Sequence, residues 1–271
     1  MSRLSPEAGR GANKKAMNST GCSPRVAFYS AFPIPANLVA DMLTLLQQPL
    51  CPLSRYVRLI LGEYGIAARL AEERFWERRP EFLELNPAGT IPVLVADGEP
   101  AVPGAAIIAE YIEETQPPSE AADRLLPPGA ADRVEVRRLA SWFNDKFHEE
   151  VSGPLVTERV FKRHMTAEQG GGPPDTDALR AARHNIRYHL AYLGWLARTR
   201  DWLAGERLSL ADLAAAAHLS VCDYLGEVPW SEDEAVKNWY ARVKSRPAFR
   251  PLLNDALAGL PPSKSYADLD F

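Results

Sequence analysis

The stretch from Asn86 to Glu110 leaves few folds open. Asn86-Pro87-Ala88-Gly89 is turn chemistry, and it ends any helix that precedes it. Ile91-Pro92-Val93-Leu94-Val95 follows as a short apolar strand whose proline falls at its start, where the ladder needs no donor. A proline placed there, just after a turn, is also a site for a cis bond. Asp97-Gly98 turns the chain back, and Ala105 to Glu113 brings Ile107, Ile108, Tyr111 and Ile112 round at helical spacing. Proline and glycine thus punctuate this region at positions that only a turn–strand–turn–helix path satisfies.

The remaining elements follow from the same chemistry. Residues 1–41, rich in Ser, Gly, Asn and Pro with no strand or helix period, read as a disordered N-terminal arm. Leu43 to Gln48 is expected to form a first strand and Ser54 to Tyr64 an amphipathic helix. That helix carries Tyr56, Val57, Ile60, Leu61 and Tyr64 on its apolar face, with Arg55, Arg58 and Glu63 elsewhere. Gly62 weakens it and Ser54 is its natural N-cap. Ala67 to Phe75 reads as a second strand, followed by a charged loop through Trp76 and a short helix to Leu85. Pro117, Pro118, Pro127 and Pro128 mark a linker, beyond which the chain is helical: Asp132–Val151, Val156–Met165 and Asp177–Arg200. Ser209 and Asp212 form a capping box at the start of a further helix, worth about 1 kcal/mol.

Composition excludes several functions. A net charge of −4 and a pI near 5.8 argue against general nucleic-acid binding. No apolar run reaches the length of a membrane span. Three cysteines, Cys22, Cys51 and Cys222, form no Cys-x-x-Cys pair, which argues against a disulfide framework or structural zinc and fits a reducing cytoplasm. Among five histidines, His184 and His189 stand five apart, too far round a helix to share one metal, so none is expected.

The run Asn86-Pro87-x-Gly89-x-Ile91-Pro92-x-Leu94, the Ser209-x-x-Asp212 box and the stretches Asn238–Val243 and Arg246–Phe249 resemble the glutathione transferases. The resemblance implies an α/β thioredoxin-like domain over 42–115, a linker over 116–130, an all-α domain over 131–259 and a C-terminal tail over 260–271. It also implies a glutathione site. Cys51, ahead of the first helix, matches the position that activates the glutathione thiol, and Ile91 with Pro92 matches the backbone that pairs with the tripeptide. The family supplies an acidic residue and a serine for the γ-glutamyl end just before the last helix of the first domain. This sequence has Pro103 and Gly104 there, read as helix-start chemistry with neither side chain. Losing the charge-assisted contact costs roughly 1.5–3 kcal/mol and losing the hydroxyl contact about 1 more, enough to remove ordinary binding. Cys51, Ile91, Pro92 and Gly104 are therefore read as a vestigial site, with no cofactor. The alternative is a glutathione-dependent transferase or thiol oxidoreductase using Cys51.

What the transferase reading leaves over is surface. Arg74, Trp76 and Arg78 combine the residue types that dominate interface hot spots. The C-terminal run Tyr266, Asp268, Leu269, Asp270 and Phe271 alternates hydrophobic anchors with acids, as a segment docking on its own domain or on a partner would. The Phe75–Pro80 segment, the Phe143–Phe147 helix and the Ser265–Phe271 end resemble an alphaproteobacterial branch of the family that binds FtsZ filaments in cell division without known transferase chemistry. That implies a cytoplasmic homodimer at the division site, with no nucleic acid and no membrane insertion. It adds Lys146 and Glu150 to Arg74, Trp76, Arg78 and the tail as interface candidates.

Overall fold

The computed structural model describes residues 43–120 and 123–268. The expected arm over 1–41 lies outside the described residues, as do Leu269, Asp270 and Phe271.

Four strands form one mixed sheet in the order β2–β1–β3–β4. β1 (Leu43–Gln47) runs parallel to β2 (Ala68–Glu72) and antiparallel to β3 (Val93–Val95), and β3 pairs antiparallel with β4 (Val102–Pro103). β1 and β3 are central and apolar, whereas β2 is an edge strand with much of its surface in water, which explains its mixed composition. β2 stops at Glu72, short of the expected Phe75, because the chain turns into a single 3-10 turn over Phe75–Glu77. The short helix α2 (Pro80–Leu85) comes next. The bond between Ile91 and Pro92 is cis, as the turn–proline pattern anticipated.

Between β1 and β2 lies α1 (Pro52–Glu63), and after β4 comes α3 (Ala105–Thr115). Two expectations about α1 need correction. Cys51, not Ser54, occupies its N-cap, and Pro52 takes the first turn, where its missing N–H is no loss. Ser54 sits inside the helix with a buried hydroxyl that makes no hydrogen bond. Nor does the amphipathic pattern leave one side of α1 in water: Arg55, at 0% exposure, and Arg58 are buried as well as the apolar face. Gly62 has a positive reason to be glycine, since a Cβ there would come 2.9 Å from that of Ala248. Close approach of α1 to the Pro247–Phe249 turn requires the bare backbone.

The helical part comprises α4 (Ala130–Ser141), a π-helical segment over Trp142–Ser152, then α5 (Gly153–Arg159), α6 (Thr176–Thr199), α7 (Leu210–Tyr224), α8 (Glu234–Lys244) and the short α9 (Arg250–Leu253). The expected single helix over 132–151 is thus α4 continued by wider turns, which shift the faces that later residues present. Every residue of α7 is buried, which makes it the axis of the fold, packed by α1, α4, α8 and the π-helical segment. The Ser209–Asp212 capping box forms as the sequence indicated. The stretch joining α3 to α4 buries Leu125 and Leu126 and is held by Leu125 N–H to Tyr64 Oη (2.8 Å) and Leu210 N–H to the Leu125 carbonyl (3.1 Å).

Candidate functional site

The residues singled out by sequence fall in four places. Cys51 is buried at the mouth of α1, and burial pushes its thiol up despite contacts from Ser54, Leu53 and Arg55. A thiol held protonated is a poor nucleophile. Ile91 and Pro92 are buried too. Pro103 belongs to β4 rather than to the first turn of α3, so its helix-start reading is corrected: Gly104 alone is the N-cap, at φ 92°. Its backbone N–H donates to the Pro92 carbonyl (2.9 Å). A Cβ on Gly104 would meet only Ile107, at 3.7 Å, so the backbone geometry rather than crowding favours glycine there. Neither Pro103 nor Gly104 gives a carboxylate or hydroxyl to this corner.

Trp76 lies in the 3-10 turn, half-buried among aromatic rings: Phe75 at 5.1 Å, Phe161 at 5.5 Å and His164 stacked at 6.5 Å. Phe75 also meets Phe161 edge-on at 5.3 Å, so two adjacent residues grip the segment after α5. Phe161 and His164 were missed by sequence reasoning, because nothing local links them to a residue eighty-odd positions upstream. Around this cluster Arg74 and Arg78 are exposed. Arg74 pairs with Glu77, while Arg78 adopts a left-handed conformation at φ 48° and lies over Gly89. A non-glycine residue held there signals a conformation fixed by its surroundings. The result is a basic rim around a half-buried tryptophan.

Lys146 and Glu150 stand one turn apart on the π-helical segment and form an ion pair. Glu150 also accepts from His189 Nε2 (2.9 Å), and His189 Nδ1 accepts from Trp142 Nε1 (3.1 Å), which makes His189 a neutral Nε2–H tautomer. Burial lowers its pKa further. Trp142, Tyr192 and Trp195 continue as an aromatic face, with Tyr188 61% and Trp195 51% exposed. The fourth place is the tail. Tyr266 is enclosed by its own chain, with its hydroxyl donating to the Leu252 carbonyl (2.7 Å). Its assignment as a partner contact is therefore corrected: it anchors the tail. Asp268 is exposed.

A further polar cluster, unremarked in the sequence, lies between the π-helical segment and α7. His218 Nε2 donates to Asn144 Oδ1 (3.2 Å), so its Nδ1 accepts from Ser152 Oγ (2.7 Å), and Ser152 in turn accepts from His148 Nδ1 (3.3 Å). The order serine–histidine–asparagine has the form of a nucleophilic relay. Ser152 and His218 are wholly buried, so the hydroxyl meets no substrate and the chain of bonds serves packing. Burial lowers the pKa of His148 and, with the neighbouring His148 charge, that of His218 well below the ordinary value. An unfolded chain takes up these protons near pH 6.5 and the folded one only at lower pH, so this stability is present above about pH 6.5 and lost as the pH falls below it. The unfolding free energy measured by urea titration is expected to drop between about pH 7.5 and about pH 5.5, by up to about 1.4 kcal/mol per pH unit for each group. His218→Gln should flatten that slope, and an unchanged slope would show that these histidines do not govern it.

Among the described residues no group of three or more His, Cys, Asp or Glu is placed to hold a metal ion, and no helix is long and apolar enough to cross a membrane.

A small mixed sheet carrying a cis-proline turn, followed by helices around a capped buried one, defines a thioredoxin-like domain joined to an all-helical domain. Family models agree: the glutathione S-transferase N-terminal domain matches residues 50–115 and the C-terminal domain residues 143–247. The chain belongs to the glutathione S-transferase family. It is 48% identical to FtsZ-localized protein A of Caulobacter vibrioides over 233 residues, covering 84% of this chain and 98% of that one. A crystal structure of a glutathione S-transferase from Sinorhizobium meliloti is 54% identical, with a TM-score of 0.83, over 85% of this chain and all of that one. The structure of FzlA from Caulobacter crescentus is 48% identical with a TM-score of 0.76, over 85% of this chain and 100% of that one. A more distant relative is glutathione S-transferase 2 of Saccharomyces cerevisiae, 25% identical over 76% of this chain and 87% of that one.

Proposed function

We propose that this chain is a non-enzymatic, glutathione-transferase-like homodimer that binds FtsZ filaments and regulates their curvature and bundling in bacterial cell division, in the cytoplasm at the division site. The observation that carries the reading is its 48% identity, over 98% of that protein's length, to a relative named for its localisation with FtsZ. The site supports loss of transferase chemistry. Cys51 is buried with its thiol pushed up, and Pro103 and Gly104 give the γ-glutamyl end of glutathione neither carboxylate nor hydroxyl. Because glutathione transferases are also among the relatives, the glutathione test belongs in the same experiment as the filament test.

The surface offers the rest of the argument. Trp76 with Arg74 and Arg78 is a fixed aromatic–basic patch of the composition that interfaces favour. Lys146 and Glu150 with the Trp142 face, and exposed Asp268 with the sequence that follows it, Leu269, Asp270 and Phe271, are the other filament candidates. A second copy has its own candidate face. Ile107 is 59% and Val134 65% exposed, and the bidentate pair of Arg137 with Glu110 (2.7 and 2.8 Å) joins α3 to α4 one turn from each of them. A two-fold dimer presents every filament patch twice, so it can bridge or bend a polymer.

Filament co-pelleting and glutathione calorimetry on one preparation test this reading. The unaltered protein is expected to pellet with polymerised FtsZ and to give no heat with millimolar glutathione. Arg74→Glu with Arg78→Glu, both on exposed side chains, should abolish pelleting at unchanged urea midpoint. Trp76→Ala and deletion of Asp268–Phe271 should abolish it too, with a lowered midpoint because Trp76 packs on Phe161 and the Asp268 carbonyl accepts from Lys244. Pelleting that survives all three changes would remove these surfaces from the interface, and saturable glutathione heat would restore Cys51 chemistry.

A further inference from the structure

The chain's last described stretch, from Leu257 to Asp268, has no regular secondary structure beyond turns and one isolated bridge between Leu257 and Leu260. It is nevertheless wired to the body at three buried points. Tyr224, at the end of α7, accepts the Leu257 N–H on its hydroxyl (3.1 Å), donates that hydroxyl to the Leu260 carbonyl (2.6 Å) and accepts the Ser263 N–H on its own carbonyl (2.9 Å). Tyr266 inserts edge-on against Tyr224 at 5.1 Å, with Arg55 over its ring at 5.8 Å. The third point is a charge. Lys244, the last residue of α8, is 0% exposed, and its ammonium donates to the carbonyls of Ser265 (3.0 Å) and Asp268 (2.7 Å). Asp223 on α7, itself buried, supplies the counter-charge 3.5 Å away and also accepts from Trp230 Nε1 at 3.0 Å.

A buried ion pair contributes little to stability beyond what an apolar pair of the same shape would, so its use at this position asks for another reason. The geometry provides one. Only a donor reaching out of the core can hold two carbonyls of an irregular segment three residues apart, and a lysine carries three such hydrogens. Burial pulls the Lys244 ammonium down, opposed by the charges of Asp223 and Asp268, and pushes the Asp223 carboxyl up, opposed by Lys244 and by the hydrogen bond from Trp230.

We propose that Lys244, with Asp223 as its counter-charge, is the positioning residue that latches the C-terminal tail as far as Asp268 and so sets where the acidic, exposed Asp268 is offered to a basic partner surface. The latch stands on the geometry alone, and its consequence for the filament rests on the proposed function.

Lys244→Met keeps the volume of the stem and removes the donors, so the body is expected to stay folded, with an unchanged far-ultraviolet spectrum and cooperative urea transition. Cleavage of the full chain by a broad-specificity protease between Ser263 and Asp268 should accelerate by about tenfold or more, because a held segment must open before it is cut. Co-pelleting with FtsZ should fall in parallel. Lys244→Gln, which retains an N–H donor at the site, should be cut at an intermediate rate and serves if the methionine variant does not fold. Cleavage of the folded variant at the rate of the unaltered protein would overturn the latch. Faster cleavage with unchanged pelleting would keep the latch and overturn the tail's part at the filament.

Discussion

Replacing Asp212 by asparagine is expected to lower the unfolding free energy by about 3 kcal/mol, within a range of roughly 2–6. The residue lies at zero exposure at the start of α7, and its two oxygens accept four hydrogen bonds. Oδ1 takes the Leu203 N–H (2.9 Å) and Trp239 Nε1 (3.0 Å), and Oδ2 takes the Ser209 N–H (3.0 Å) and hydroxyl (2.9 Å). An asparagine offers one oxygen and turns an NH2 group onto two donors, leaving both unmet in a dry core. Each such loss costs about 1–3 kcal/mol. Ser209→Ala, which removes only the cap's hydroxyl, should cost about 1 kcal/mol. Urea unfolding of the two variants side by side checks the argument, and equal losses would mean that Asp212 does no more than cap the helix. The burial that pushes the Asp212 carboxyl up is opposed by the same four donors, so removing any of them weakens the case for a charge at that place.

Arg55→Ala is the second large effect. Its guanidinium, fully enclosed, donates to the Pro49 carbonyl (2.7 Å), Ser220 Oγ (2.9 Å) and Asp255 Oδ2 (2.9 Å), so one side chain ties α1 to α7 and to the chain just beyond α9. Truncation leaves a cavity, a carbonyl and a hydroxyl short of a partner, and Asp255 with Arg58 alone. A loss of about 3–5 kcal/mol follows for removing one member of a buried pair. Arg55→Met fills the space without the charge and should recover part of it. If the alanine variant unfolds in urea within about 1 kcal/mol of the parent, the pair with Asp255 is solvated rather than buried in its effect. Asp255→Ala in the same series separates the Arg55 and Arg58 contributions, which couple through one carboxylate.

How far the sequence could be read follows from the range of the forces involved. The turn at Asn86–Gly89, the cis bond at Pro92, the β3 strand and the capping box at Ser209 and Asp212 are local events, decided by backbone sterics and by partners within a few residues. All four were legible, and with them the family fold. The order of strands and helices was legible for the same reason. Boundaries slipped where two local tendencies met. β2 gave way to a 3-10 turn at Phe75, Cys51 took the cap expected of Ser54, and the helix after α4 widened into π turns that no period of 3.6 announces.

The errors about sites have one cause. The amphipathic pattern left Arg55 and Arg58 off the apolar face of α1 and said nothing of what they meet. The structure encloses both with α7 and the segment around Asp255, about two hundred residues away in sequence, and a buried guanidinium is stable there because carboxylate, hydroxyl and carbonyl partners are supplied by those elements. For Tyr266 the sequence left docking on its own domain and docking on a partner both open, and Tyr224, Leu252 and Arg55 close around it in the structure. Trp76 could be read as an exposed hot spot or as packed, and its rings against Phe161 and His164 make it half of each.

By itself the sequence determined the element order, the proline turn and helix cap that define the transferase scaffold, and the absence of an acid–serine pair at Pro103 and Gly104. These are statements about side chains present and backbone angles allowed, and they need no neighbour. Only the tertiary structure decided that the charges on α1 and α8 face inward, that His148, Ser152, His218 and Asn144 form one chain of hydrogen bonds, and that the tail is fastened as far as Asp268. Each of those depends on what stands opposite a residue, and a chain specifies that only through the long-range packing of all its faces at once.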